Sequence, residues 1–338
     1  MPDLNYDSEA LRTEMIKVAK FWLDKGVDGF RIDAVSHLYG SGELAKGESY
    51  EEAWGFWEEF DQELRSVKPD YYLVGEAWED IAQRAKYSAY FDTTFNFDLA
   101  DPGILAMVKN KVDLENKNDG LNNTLVSNLE MQATYAAESP NEMFIDAPFL
   151  SNHDMDRAME YLNGDLENMK LAARIYMTLP GNPFIYYGEE LGMRGEKPDE
   201  NIREPFVWGS EDSYQTSWKD LDYNQETESV KQQEVDTSSL LNYYKMLIRL
   251  RKENPALLQG DFLPVATENL RLFAYERREE GQRILMIHNL DQKEAVLRFD
   301  ELGTTFEEKD CLYLSHTVQW KADEIQMAAK SSVMVLLP

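Results

Sequence analysis

Stretches with apolar residues at helical spacing alternate with short apolar runs along the first 190 residues of this chain, and that alternation restricts the fold more than any other feature. Residues 9–25 place Leu11, Met15, Val18, Ala19 and Trp22 on one helical face, with Asp7 and Ser8 available as caps and Gly26 as a stop. Val27 to Asp33 then reads as a buried strand. A second helix over 51–67 (Ala53, Phe56, Trp57, Phe60, Leu64) ends before Pro69, and Tyr71 to Glu76 reads as a second strand. Further strands are expected around 91–97, 143–151 and 183–187, with helices near 80–89, 101–137, 165–178 and 237–253. Strand, helix, strand, helix implies an α/β parallel sheet built from βαβ units.

From Pro255 the pattern changes to short, alternating, turn-punctuated runs: Leu270 to Arg277, Arg283 to Leu290, Ala295 to Phe299 and Val333 to Leu337. These predict a C-terminal antiparallel β domain over 255–338, after a parallel α/β region over 1–254. A chain of 338 residues exceeds what one core sustains, so one large and one smaller domain is the natural division. The acidic, polar stretch 210–236 reads as a long surface loop, either a cover for a site or plain solvated chain.

The net charge of -29, from 34 basic and 63 acidic residues, opposes binding to nucleic acid or to an anionic membrane surface. No apolar run reaches the ~18 residues that span a bilayer, so a soluble protein is expected, cytoplasmic or secreted. The single cysteine, Cys311, excludes an internal disulfide and a thiolate metal cluster, and reads as a small buried hydrophobe.

Three acids stand at the ends of strand-like runs: Asp33 in Gly29-Phe30-Arg31-Ile32-Asp33, Glu76 in Leu73-Val74-Gly75-Glu76, and Asp154 in Asn152-His153-Asp154. Alone, each reads as a helix cap or a loop charge. In a parallel barrel, however, groups at the C-terminal ends of different strands converge on one pocket. Paired carboxyl groups there have the composition that retaining glycoside hydrolysis needs, one ionised as nucleophile and one protonated as acid. Arg31, two residues before Asp33 and so on the same side of a strand, is placed to keep Asp33 ionised. Glu76 needs the opposite bias, which an apolar surrounding near Ala77-Trp78 would supply.

Those three segments, extended to Ala34-Val35-Ser36-His37, to Ala77-Trp78 and back to Phe149-Leu150-Ser151, closely resemble ordered signature segments of the α-amylase family of glycoside hydrolases, glycoside hydrolase family 13. Met1-Pro2-Asp3-Leu4-Asn5 resembles a further segment, in the form found in α-amylases intermediate between the oligo-1,6-glucosidase and neopullulanase groups. Pro183 to Glu190 resembles a strand near the end of that family's barrel, and Arg203-Glu204-Pro205-Phe206 a loop that follows it. The resemblance spans essentially the whole chain. It implies the C-terminal part, about five strand–helix units (strands four to eight), of a TIM (β/α)8 barrel followed by an antiparallel β-sandwich domain.

By resemblance, Asp33 would be the nucleophile, Glu76 the general acid and base, and Asp154 the residue that grips sugar hydroxyls, assisted by Arg31 and His153. His37 would lie near a bound calcium or an acceptor sugar, or would cap the loop that follows. Trp78, Tyr186 and Tyr187 would either stack on sugar rings or serve as core. The implied activity is retaining hydrolysis of α-1,4-glucosidic bonds in starch-like glucans or maltooligosaccharides. The alternatives are an α-glucosidase or oligo-1,6-glucosidase, and a non-catalytic relative that binds carbohydrate or accompanies a transporter. A family barrel has three further units and an inserted domain before the first strand seen here, so the resemblance implies an N-terminally truncated form. With those units would go residues that help to hold calcium, which is therefore a candidate only in a longer enzyme. The chain itself offers no metal set, and an open barrel edge would favour self-association.

Overall fold

The computed structural model of the chain describes residues 4–39, 51–79, 81–109, 130, 145–269, 271–315 and 318–338. Two compact units divide them: residues 4–96, 130 and 145–147 in the first, residues 97–109 and 148–338 in the second.

In the first unit, helix α1 (Glu9–Asp24) buries Ile16, Ala19 and Leu23 and ends where Gly26 takes a left-handed φ of 96°. Ser8 occupies the N-cap position, yet its side chain makes no capping hydrogen bond. Val18 and Trp22, expected on the buried face, are exposed along an open apolar hollow of about 220 Å3 that Met15, Phe30 and Phe56 also line. Helix α2 (Glu51–Arg65) buries Phe56, Trp57, Phe60 and Leu64, and Trp57 meets Phe91 edge-on at 4.9 Å.

Strand β1 (Gly29–Ile32) pairs in parallel with β2 (Tyr72–Gly75), running from Gly29 opposite Tyr72 to Ile32 opposite Gly75. A Cβ on Gly29 would lie 1.9 Å from the Tyr72 carbonyl oxygen, so glycine permits this close approach. Helix α3 (Ile81–Tyr87) leads to β3 (Thr93–Thr94), which pairs with the other side of β2 and is followed by a parallel bridge from Phe95 to Ala147.

The second unit holds α4 (Leu166–Thr178), whose first turn is capped by Asp165 accepting from the Asn168 N–H at 3.0 Å, and α5 (Leu240–Glu253), capped by Ser239. Every residue of α4 from Leu171 to Thr178 is buried, as suits a helix packed on several sides. Eight antiparallel strands follow: β4 (Asp261–Val265), β5 (Leu272–Glu279), β6 (Gln282–Asn289), β7 (Ala295–Arg298), β8 (Cys311–Leu314), β9 (Val318–Trp320), β10 (Glu324–Met327) and β11 (Ser332–Leu337). They form a five-stranded sheet, β4-β5-β6-β11-β8, and a three-stranded sheet, β7-β10-β9. Leu285, Ile287, Leu297, Ile325, Met327 and Val335 join the two sheets in one apolar cluster.

Several expected elements are shorter than the sequence pattern suggests. The strand expected over 91–97 is two residues long, and those over 143–151 and 183–187 reduce to single bridges at Ala147, Phe149 and Phe184. Pro148 and Pro183, each without an N–H to donate, stand directly before Phe149 and Phe184 and interrupt any longer ladder. Of the helix expected over 101–137, the described part is a π-helical turn, Ala100–Leu105, running into Ala106–Val108; most of the remainder lies outside the described residues. Cys311 is partly exposed on β8 rather than buried, and partial burial still pushes its thiol up to about 12. The stretch 210–236 contains a helix, Val230–Val235, started by a reciprocal pair between Ser229 and Gln232.

Candidate active site

Because Ile32 and Gly75 are partners in the β1–β2 ladder, the residues that follow them, Asp33 and Glu76, leave neighbouring strands side by side. The ladder continues one step as the Glu76 N–H donates to Ile32 O at 2.9 Å. Ala34 then turns the chain with a left-handed φ of 45°, and its N–H donates to Glu76 Oε2 at 3.2 Å. Arg31 lies on the same side of β1 as Asp33 and reaches both acids: Nη1 to Asp33 Oδ1, and Nη2 to Glu76 Oε2 at 2.9 Å. One guanidinium thus spans the pair, with the Asp33 side chain open to solvent (74% exposed) and that of Glu76 nearly covered (11%).

The surrounding of Glu76 differs from the apolar one expected. Ala77 is buried, but Trp78 is 59% exposed, and the Glu76 carboxylate has Arg31 and a backbone N–H as partners. His37 sits on the short turn Val35–His37 that follows Asp33, exposed, and among the described residues its ring has no hydrogen-bond partner.

The second unit carries the other predicted residues. Asn152 accepts the Asp154 N–H on its own Oδ1 at 2.8 Å, a local turn that fixes the direction of the acid. His153 Nε2 lies 3.0 Å from Asp154 Oδ2. Arg203 completes the group: Nε donates to His153 O at 2.8 Å, and Nη2 reaches Asp154 Oδ1 at 2.8 Å and Asp199 Oδ2 at 2.7 Å. Sequence reasoning placed Arg203 in a family-like loop but gave it no part in the site, since nothing in the pattern connects it to an acid 49 residues earlier. Asp199 was also missed; Lys197, and Arg203 behind it, hold its carboxyl below the usual range.

Arg203 is held in turn. The carbonyls on either side of it, Ile202 O and Glu204 O, accept from the Tyr186 and Tyr187 hydroxyls at 3.1 and 2.8 Å. The buried guanidinium of Arg157 lies 4.5 and 4.8 Å from these two ring centroids and donates to Tyr187 O. Both tyrosines, expected as stacking or core residues, therefore anchor the loop through their hydroxyls. Just beyond them, Glu189 is buried with Oε1 accepting from Tyr176 and Tyr244 at 2.7 and 2.8 Å, and burial pushes its carboxyl up to about 7.

The family described as "Alpha amylase, catalytic domain" matches residues 1–260, and "Alpha-amylase SusG C-terminal domain" matches residues 272–334. The chain belongs to the α-amylase family. Alpha-amylase 3 of Dictyoglomus thermophilum is 39% identical over 342 residues, covering all of this chain and 64% of the relative. Alpha-amylase SusG of Bacteroides thetaiotaomicron is 33% identical over 316 residues, covering 85% of this chain and 42% of SusG. The crystal structure of the alpha-amylase from H. orenii superposes with a TM-score of 0.83 at 34% identity, covering all of this chain and 66% of that one. The chain therefore spans less than two thirds of the length of these family members. Its parallel strand–helix units are part of the family's TIM barrel, and its C-terminal sheets are the β-rich domain that follows it.

Proposed function

We propose that this chain carries the machinery for retaining hydrolysis of α-1,4-glucosidic bonds in starch-like glucans or maltooligosaccharides. The observation that carries this reading is the pair Asp33 and Glu76, at the ends of adjacent parallel strands and bridged by Arg31. Asp33, exposed and beside a permanent cation, is suited to attack the anomeric carbon as a carboxylate. Glu76, covered and on the neighbouring strand, is suited to protonate the departing glycosidic oxygen and then to deprotonate the water that releases the glycosyl group. Arg31, in contact with both carboxyl groups, holds the two side chains in a fixed relation to each other. Holding of the sugar hydroxyls is assigned to Asp154 and His153, with Arg203 fixing the acid.

The family resemblance raises calcium as a candidate. Among the described residues no three His, Cys, Asp or Glu side chains converge as a metal set. We also propose that the chain divides between Asn254 and Pro255, one short helix (Pro255–Gln259) ahead of the antiparallel strands that begin at Asp261, and that the edge of the parallel sheet at β1 supports self-association.

Incubation of the full chain with maltoheptaose, alongside Asp33→Asn, tests the chemistry. Shorter maltooligosaccharides should appear with the α-anomer first by NMR, and the variant should lose at least about 10³-fold in rate, as loss of an activated nucleophile does. Cleavage unchanged in Asp33→Asn, or the β-anomer first, would sink the assignment.

A further inference from the structure

The loop that begins at Arg203 is fastened from within, yet it carries large rings into solvent. Glu204, wholly buried, accepts from the Asp222 and Tyr223 N–H groups at 2.8 and 3.1 Å and from Asn224 Nδ2 at 2.9 Å, and pairs with Lys219 at 3.1 Å. Farther out, Gln215 Oε1 accepts from the Trp208 and Gly209 N–H groups, while Asp212 pairs with Lys231 and accepts the Tyr214 N–H. A segment closed on itself in this way holds its side chains in place before any ligand arrives.

On this frame the aromatic residues form a continuous series. Ring centroids are 6.4 Å apart from Tyr187 to Phe206, 4.7 Å from Phe206 to Trp208, and 6.0 Å from Trp208 to Tyr214. Exposure rises outward, from partly buried Phe206 to 38% at Trp208 and 73% at Tyr214. The inner end is tied to the Asp154 group, because Tyr187 donates to the carbonyl of Glu204, the residue after Arg203. A fixed loop that leaves two large rings in water forgoes the burial that would stabilise it.

We propose that Phe206, Trp208 and Tyr214 form a stacking platform for an α-glucan chain that extends outward beyond the sugar held at Asp154. This rests on the glucan reading of the site given above. A pyranose offers an apolar C–H face to an aromatic ring while its hydroxyls stay in water, which suits rings that are half open. The occupant is a neutral polyol rather than an anion, since Glu211, Asp212, Asp220 and Asp222 crowd the same loop. A protein partner would need on the order of 1,000 Å2 of matched surface, far more than three rings provide.

Isothermal titration of maltoheptaose and of maltose into the full chain tests the platform, on an Asp33→Asn background so that no turnover intrudes. Tyr214→Ala and Trp208→Ala should each weaken maltoheptaose binding about tenfold, the scale of losing an aromatic anchor, and leave maltose unchanged. Tyr214→Phe should bind as the parent does. Trp218 is 60% exposed on the same loop but outside the ring series, so Trp218→Ala should have no effect. Tyr214 is too exposed for its truncation to unfold the chain, and thermal melting verifies this. Maltoheptaose affinity within twofold of the parent in both ring variants, an equal loss for maltose, an equal loss in Trp218→Ala, or no measurable binding by the parent would each overturn the platform. The hydrolysis assay decides the chemistry separately: an inactive chain whose affinity falls in Tyr214→Ala upholds the platform, and an active chain indifferent to Tyr214→Ala rejects it alone.

Discussion

Each unit has an arginine that grips acidic side chains, and the sequence pattern exposes only one of the two. Arg31 touches Asp33 and Glu76, and its position two residues before Asp33 puts it on the same strand face, a relation the period of a strand makes visible. Arg203 touches Asp154, Asp199 and the His153 carbonyl, but that meeting depends on tertiary folding. Its fork matters, because one planar guanidinium serves three acceptors from fixed positions, which an ammonium on a flexible stem does not reproduce. Arg203→Lys should therefore lower kcat/KM for maltoheptaose by roughly 10- to 100-fold, with the melting temperature nearly unchanged, since the group is part-exposed. Equal kinetics for the lysine variant and the parent would show that Asp154 is held well enough by Asn152 and His153 alone.

At the scale of elements, helices and strands with a regular apolar run were legible, β1 and β2 among them, while the extent of the later parallel strands, reduced to two residues or single bridges, was not. β5, β6 and β11 stand within two residues of their expected limits because each alternates or is buried over four or more residues. β4, β8 and β9 escaped notice because their burial is mixed, as in the exposed and half-buried run Asp261–Val265, whereas β10 does alternate, with Ile325 and Met327 buried beside half-buried Glu324 and Gln326. The turn Glu189–Leu191 was hidden in the same way: an acidic pair reads as solvent-facing, yet Glu189 is buried beneath hydroxyls from α4 and α5. Burial raises its carboxyl to about 7 from an ordinary 4.5, against the opposing effect of the two tyrosine donors and of Arg157, and Glu190 adds to the rise. Between these values the folded chain keeps a proton that the unfolded chain has released. Stability from this group is thus full below about pH 4.5 and falls as pH rises through 7, by on the order of 3 kcal/mol in total. Glu189→Gln fixes the neutral form and should remove that decline, so the variant should gain on the parent in urea denaturation between pH 5 and 8. A parent-to-variant difference that stays flat with pH would show that Glu189 is ionised throughout.

For the whole molecule, the legible part was the change of structural type, and the illegible part was how cores are shared. The sequence pattern turns from helical to alternating after Pro255, and the antiparallel strands begin at Asp261, after one more short helix, Pro255–Gln259. In the second unit, however, one apolar cluster takes Leu105, Met169 and Ile175 together with Tyr275, Ile284 and Met286, a pooling of distant segments that no local pattern carries. The cluster is supported by buried cations that donate to backbone carbonyls, such as Arg277 to Thr178 O at 2.7 Å, and burial lowers that guanidinium to about 9. Charge acts at the largest scale. A net charge of -29 repels itself in the compact state, and the repulsion reaches farther as salt is removed, with a screening length of about 20 Å near 20 mM and about 6 Å near 300 mM. Raising sodium chloride over that range should therefore raise the melting temperature by several degrees. Glucan affinity should stay constant over the same range, because a neutral ligand releases no counterions. Calorimetry and maltoheptaose titration on one sample read both. A melting temperature that falls with salt would mean that ion pairs such as Arg31 with Glu76 and Arg203 with Asp154 outweigh the long-range repulsion, and an affinity that follows salt would mean that the ligand is not the neutral polymer proposed.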